Sequence, residues 1–170
     1  MTENTAAPTY NPLKDVGRLT MPDGSEIRFY ADEFKGYPFG SIRTFVKRDS
    51  YEGPTKAGVT LKGAVLDGVI EALEKLPKEP AALEDVELAR FEKKKNAEEA
   101  VDLVVRITLY KDTTGVDLRE WVVSETYTGW SKKGIRLPYA EIAKSVGFLK
   151  EMRTFLAGRP SPKKGAPRAA

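Results

Sequence analysis

The chain has 170 residues, no cysteine, no histidine and a formal net charge of +3. The missing residue types exclude disulfides, thiolate or imidazole metal sites, Ser-His-Asp chemistry and the usual acid/base of neutral pH. Hydrophobic residues make up 41% and charged ones 31%, an ordinary balance for a soluble chain of one or two domains.

No apolar run approaches the roughly 20 residues that span a bilayer. The first residues form neither a basic n-region nor an apolar h-region, so a cytoplasmic location is expected. Charge is placed unevenly. From Gly158 onward Arg159, Lys163, Lys164 and Arg168 stand without an acid, and without that tail the body is close to −1. Any anion-binding surface on the body must therefore be a local patch.

Residues 1–16 are small, polar and proline-bearing and read as a flexible arm. From Gly17 the chain reads as short strands. Arg18 to Met21 and Ile27 to Ala31 flank a Pro22-Asp23-Gly24 turn and form a hairpin. Phe34-Lys35-Gly36-Tyr37 turns into Ser41 to Lys47, where Ile42, Thr44 and Val46 alternate with Arg43, Phe45 and Lys47. After a turn at Asp49 to Pro54, a last strand runs from Lys56 to Leu61. Val65, Leu66, Val69, Ile70, Leu73 and Leu76 then recur at helical spacing and stop at Pro77. The first module, 17–77, is thus ββββα.

Residues 78–101 read as a linker helix, with good helix formers after Pro80, acids early and Lys93-Lys94-Lys95 late. A second module, 102–157, opens with the strand Leu103 to Tyr110 and a turn at Asp112 to Gly115. Strands Val116 to Val123 and Lys132 to Leu137 follow. Pro138 suits a helix start, and Ile142, Val146, Leu149, Met152 and Leu156 form an apolar stripe. Residues 158–170 read as a basic, disordered tail able to touch phosphates.

The two modules repeat one phrase. Pro54-Thr55-Lys56-Ala57-Gly58-Val59-Thr60-Leu61 returns 76 positions later as Trp130-Ser131-Lys132-Lys133-Gly134-Ile135-Arg136-Leu137. The same offset sets Ile42 to Val46 on Leu118 to Val122, Tyr51 and Gly53 on Tyr127 and Gly129, and Phe34-Lys35 on Tyr110-Lys111. Such self-similarity marks a tandem architecture. A module of about 60 residues buries only about 60% of its unfolded surface, so two copies sharing one core make physical sense.

The repeated positions are basic and aromatic. Arg43 with Phe45, and Arg119 with Trp121, share strand faces, while Lys56, Lys132 and Lys133 begin the last strands. Rings that stack bases, at about 1–3 kcal/mol each, beside cations that pair with phosphates suit single-stranded nucleic acid. Phe45 and Trp121 also suit a core, and the cations also suit solvated edges that deter sheet aggregation. Tyr127 and Trp130 add stacking candidates or loop packing. Gly58 and Gly134, inside strands, mark either a bend or a close backbone approach. Asp117, Glu120 and Glu125 cluster in the second copy, but only one acid recurs in the first, which argues against a two-metal nuclease.

At these residues the chain resembles the C-terminal domain of the transcriptional positive cofactor 4 family. That family's phrase of aromatic-Lys-Gly, Ile-Arg-Glu-aromatic and Lys-Gly-Ile-Ser-Leu before a helix occurs twice. It is Phe34-Lys35-Gly36, Ile42-Arg43-Thr44-Phe45 and Lys56-Ala57-Gly58-Val59-Thr60-Leu61 in the first copy. In the second it is Tyr110-Lys111, Leu118-Arg119-Glu120-Trp121 and Lys132-Lys133-Gly134-Ile135-Arg136-Leu137. The resemblance implies α+β modules, each a curved four-stranded antiparallel sheet with one helix, paired through their helices as a pseudo-dimer or between chains as a homodimer. It implies single-stranded or melted DNA as ligand and transcription, replication or repair proteins as partners. Carried over by position, Arg43, Arg119, Lys56, Lys132, Lys133, Phe34-Lys35 and Tyr110-Lys111 become candidate contacts. Ala57 stands where the family has a cation, and Val46 and Val122 where a second aromatic follows, so weaker binding by the first copy is expected.

The expected function is a non-enzymatic, largely sequence-independent single-stranded DNA-binding accessory protein, bacterial or viral, without cofactor or metal. RNA binding is the alternative within the same chemistry. A protein-interaction scaffold is the alternative outside it.

Overall fold

Two tight turns set the hairpins. Lys35 and Gly36 have φ of 52° and 85°, and Lys111 and Asp112 of 49° and 62°. Paired positive φ values make two-residue turns whose twist matches the flanking strands. The first joins β2 (Glu26–Phe34) to β3 (Tyr37–Arg48), and the second joins β6 (Glu99–Tyr110) to β7 (Thr113–Ser124). The computed structural model describes residues 12–78 and 86–159, and in these each hairpin is the centre of a four-stranded antiparallel sheet. The first sheet is completed by β1 (Lys14–Thr20) and β4 (Tyr51–Leu61). The second is completed by β5 (Val86–Lys95) and β8 (Thr128–Pro138). Each sheet leads into a helix, α1 (Gly63–Glu74) or, through one 3₁₀ turn at Tyr139–Glu141, α2 (Ile142–Ala157). The tandem ββββα arrangement is therefore present, with curved, open sheets.

Several boundaries differ from the sequence reading: β3, β4 and β8 begin at Tyr37, Tyr51 and Thr128, four or five residues before the expected Ser41, Lys56 and Lys132. The first strand begins at Lys14, inside the expected flexible arm, whose residues 1–11 lie outside the described residues. The expected linker helix over 78–101 is corrected more sharply. Residues 86–95 are the edge strand β5 and β6 already begins at Glu99. Helix propensity is a weak prior that tertiary pairing overrides. Here β5 pairs along β6, and its Phe91 ring lies against Gly68 of α1, where any Cβ would overlap it. Apart from Lys93, which turns inward, the acids and lysines that resembled a solvated helix are instead the charges of an exposed edge. Of the basic tail only Gly158 and Arg159 fall within the described residues.

With β5 in place, the repeat proves complete. Asp15 and Gly17 flank a bulge in β1, and Glu87 and Ala89 flank one in β5. Arg18 bridges Asp15 (3.1 Å) and Glu26 (3.0 Å), while Arg90 bridges Glu87 (3.0 Å) and Asp102 (3.3 Å). Asp102 follows Glu26 by 76 positions, but Arg90 follows Arg18 by 72. The first hairpin is four residues longer in the second copy, which breaks the constant offset there.

The helices are exchanged between the copies. The ring of Phe148 in α2 packs on Phe29 of β2 (5.1 Å between centroids) and against Gly17 of β1. Met152 lies against Gly40 of β3. Meanwhile α1 packs on β5. The two helices also meet each other, with Lys150 paired to Glu74 and Arg153 to Asp67. One buried cluster joins Phe29, Ile42 and Leu61 of the first copy to Ile107, Leu118 and Leu137 of the second. Between the sheets, where β4 lies beside β8, the Lys93 ammonium donates to the Thr60 carbonyl (3.0 Å) and hydroxyl (3.2 Å) and to Glu120 (2.8 Å). With its helix on the other sheet, neither copy has a core of its own.

Candidate nucleic-acid interface

The side of each sheet turned away from the helices carries the repeated cations and rings, and a wide bulge shapes it. In the first sheet Arg43 pairs with Gly58 and Phe45 with Pro54, leaving Thr55, Lys56 and Ala57 opposite Thr44 alone. In the second, Arg119 pairs with Gly134 and Trp121 with Trp130, leaving Ser131, Lys132 and Lys133 opposite Glu120. Hydroxyls hold both bulges. Thr55 Oγ1 donates to the Thr44 carbonyl (3.0 Å) and accepts from the Ala57 N–H (3.1 Å). Ser131 Oγ accepts from the Lys133 N–H (2.9 Å). Lys56, Lys132 and Lys133 stand exposed on these bulges, and none makes an ion pair among the described residues.

Beyond each bulge a tyrosine closes the strand. Tyr51 donates its hydroxyl to the Pro54 carbonyl (2.5 Å), and Tyr127 does the same to Trp130 (2.6 Å). Gly53 and Gly129 between them have φ of 148° and 157°, and a Cβ there would come within 3.0 and 2.7 Å of the tyrosine hydroxyls. Tyr127 therefore serves as a clasp while its ring remains half-exposed.

The arginines of the two copies differ. Arg43 donates from Nε to the Tyr30 hydroxyl (3.3 Å) and from Nη1 to the Thr55 carbonyl (2.9 Å), both neutral acceptors. Arg119 instead donates from Nε and Nη2 to both oxygens of buried Asp117 (3.2 and 3.3 Å), which neutralises it. Asp117 and Glu120 point to opposite sides of β7, one to Arg119 and the other to Lys93, so the acids of this strand do not converge.

The rings differ as well. Trp121 and Trp130 meet edge to face at 4.8 Å, both half-buried, with the Arg106 guanidinium 4.9 Å from the Trp130 ring centre. This platform presents indole surface to solvent. Phe45, expected to be its partner in the first sheet, is only 4% exposed. The Arg28 guanidinium covers its ring at 4.2 Å and Tyr30 packs edge-on at 6.1 Å. As a stacking residue Phe45 is corrected: it is shielded by outer-face neighbours without joining the main core.

Phe34-Lys35 and Tyr110-Lys111 occupy the β2–β3 and β6–β7 tips, the rings 67% and 61% exposed and each lysine beside its own ring. From tip to bulge is about 20 Å along the strand, so these pairs form separate sites. Lys47 is exposed near the far end of β3, opposite Glu52. Arg28, Tyr30, Arg106 and Arg136 also lie on the outer faces and were missed. Their signal is the period of two within β2, β6 and β8, which sets them on the face opposite the core residues of those strands. Gly58 and Gly134 resolve into close approaches of a strand to its neighbour. A Cβ at Gly58 would sit 2.7 Å from the Ile42 carbonyl, and one at Gly134 would meet the Arg119 side chain.

No protein-family model matches the chain, and no curated protein matches it. Among solved structures, WHY3 from Arabidopsis thaliana superposes with a TM-score of 0.40 at 13% identity, covering 85% of this chain and 79% of that one. WHY1 from the same plant gives 0.37 at 12%, covering 83% and 73%. Superpositions this loose carry no argument about function.

Proposed function

We propose that the chain binds single-stranded nucleic acid, with DNA as the preferred ligand, across the outer faces of its two sheets. The observation that carries the reading is the same bulge in both copies holding lysines without ion pairs among the described residues, Lys56 in one and Lys132 and Lys133 in the other, beside Arg43 or the Trp121–Trp130 platform. Phosphates pair with the cations and bases stack on the indoles, and neither contact reads sequence. The resemblance to the transcriptional positive cofactor 4 family supports the same ligand. It also supports a non-catalytic accessory role in transcription, replication or repair. The exchanged helices favour pairing of the copies within one chain over assembly from two.

Fluorescence anisotropy with a labelled oligonucleotide of about 20 nucleotides, single- or double-stranded, tests this. The single strand is expected to bind more tightly. Four phosphate contacts at about −0.7 each give a slope of roughly −3 for log K against log salt. An RNA oligonucleotide of the same sequence ranks the alternative. Absence of binding to all three at low salt overturns the proposal.

A further inference from the structure

The two outer faces share a backbone but are filled differently. In the first sheet an open cleft of about 470 Å³ lies over Tyr30 and Arg43, with Phe39 and Pro54 along its walls and Lys56 at its rim. That volume falls within the range of small-molecule sites. In the second sheet the corresponding space is occupied. Arg136 stands where the first copy has Thr60, and Gly115 where it has Phe39. The Arg136 guanidinium donates to the Thr108 and Thr113 carbonyls (3.1 and 2.6 Å) and lies where a Cβ on Gly115 would have to go. Asp117 replaces Ser41 and neutralises Arg119. In the first copy Ser41 turns its hydroxyl to the Val59 carbonyl, so the Arg43 charge is left for a ligand.

From this difference we propose that the first-sheet cleft is a site for one nucleotide bearing a terminal phosphate. Arg43 has five N–H donors and uses two of them on neutral acceptors, leaving a fork that suits phosphate oxygens. Lys56 adds a second cation at the rim, while Phe39 and Pro54 supply an apolar wall for the base. The choice of a nucleotide as the anion rests on the nucleic-acid reading above, whereas the charged, unfilled cleft does not. A terminal phosphate has two sources, a free mononucleotide or the phosphorylated end of a strand.

Both tryptophans of the chain sit on the second sheet, which allows the two faces to be read separately. In isothermal titration the full chain is expected to bind thymidine 5′-monophosphate at one site and thymidine at least tenfold more weakly. Tryptophan emission should stay unchanged with the mononucleotide and change with an oligonucleotide. The Arg43 Nε–H resonance should shift on adding the mononucleotide. Ser41→Asp, which installs the second copy's neutralising acid, and Arg43→Gln should each weaken mononucleotide binding at least tenfold, with circular dichroism reporting that the fold is retained. A 5′-phosphorylated oligonucleotide binding more tightly than its unphosphorylated twin identifies a strand end as the source, and equal binding identifies the free nucleotide. If thymidine 5′-monophosphate does not bind, or binds without moving the Arg43 resonance, the cleft proposal is overturned even where oligonucleotides bind. If oligonucleotides fail while the mononucleotide binds, the general reading falls and the cleft stands.

Discussion

Lys132 and Lys133 are exposed cations with no carboxylate partner among the described residues, whereas most other basic side chains on the second sheet are engaged. Reversing both to glutamate is therefore expected to weaken single-strand binding strongly and flatten the salt slope by about 1.4, from about 0.7 per lost contact. Because neither side chain supports the core, thermal unfolding should move little; an unchanged salt slope would remove them from the interface. A different pair speaks to pH. Hydrogen bonds from Arg90 hold the Glu87 carboxyl below the usual carboxylate range, and Glu87 in turn raises the Arg90 guanidinium. A depressed acid stabilises the fold above its unfolded pKa, and that contribution disappears as pH falls through the folded value. Both partners are largely exposed, so the effect is under about 1 kcal/mol. An NMR titration of Glu87 should show the depressed midpoint, and Arg90→Gln should return it to the ordinary range.

At the scale of elements, the bulges of β4 and β8 have the same outline and different tolerances. Gly58 faces a carbonyl oxygen that cannot move away, so Gly58→Ala should cost about 1–3 kcal/mol of stability, the range for overpacking. Gly134 faces the flexible Arg119 side chain, so Gly134→Ala should unfold at nearly the wild-type urea concentration while displacing the guanidinium from Asp117. Equal losses of stability in the two variants would contradict this account. The same elements show how far the sequence could be read. The repeated phrase placed β3, β4, β7 and β8 and their basic residues, because the bulge needs Gly58 and Gly134 and the clasp needs Tyr51 with Gly53 and Tyr127 with Gly129. The strand β5 was not legible, since its charges imitate a helix and the lengthened hairpin moves Arg90 off the common offset. Nor could Phe45 be told from Trp121. What separates them is Arg28 from the neighbouring strand, which lies over the phenyl ring, while the counterpart of Arg28 in the second sheet is Val104.

For the whole molecule, the exchange of helices means that neither copy is a folding unit. A fragment of residues 1–78 would expose Phe29 and Ile42, which lie beneath the second copy's contribution to the core. Fragments 1–78 and 79–170 should each show weak secondary structure by circular dichroism and regain it when mixed; independent folding of either would refute the shared core. The same exchange has a consequence for how the two faces can differ. In a dimer of identical chains every substitution appears twice, once on each symmetric surface. Here Ser41 and Asp117, Thr60 and Arg136, and Phe39 and Gly115 are separate positions on one chain, so one face can change while the other is kept. Because the halves are covalently joined, their association does not depend on protein concentration. A single chain thus keeps each helix on the other copy's sheet while its two outer faces are free to specialise, at any dilution.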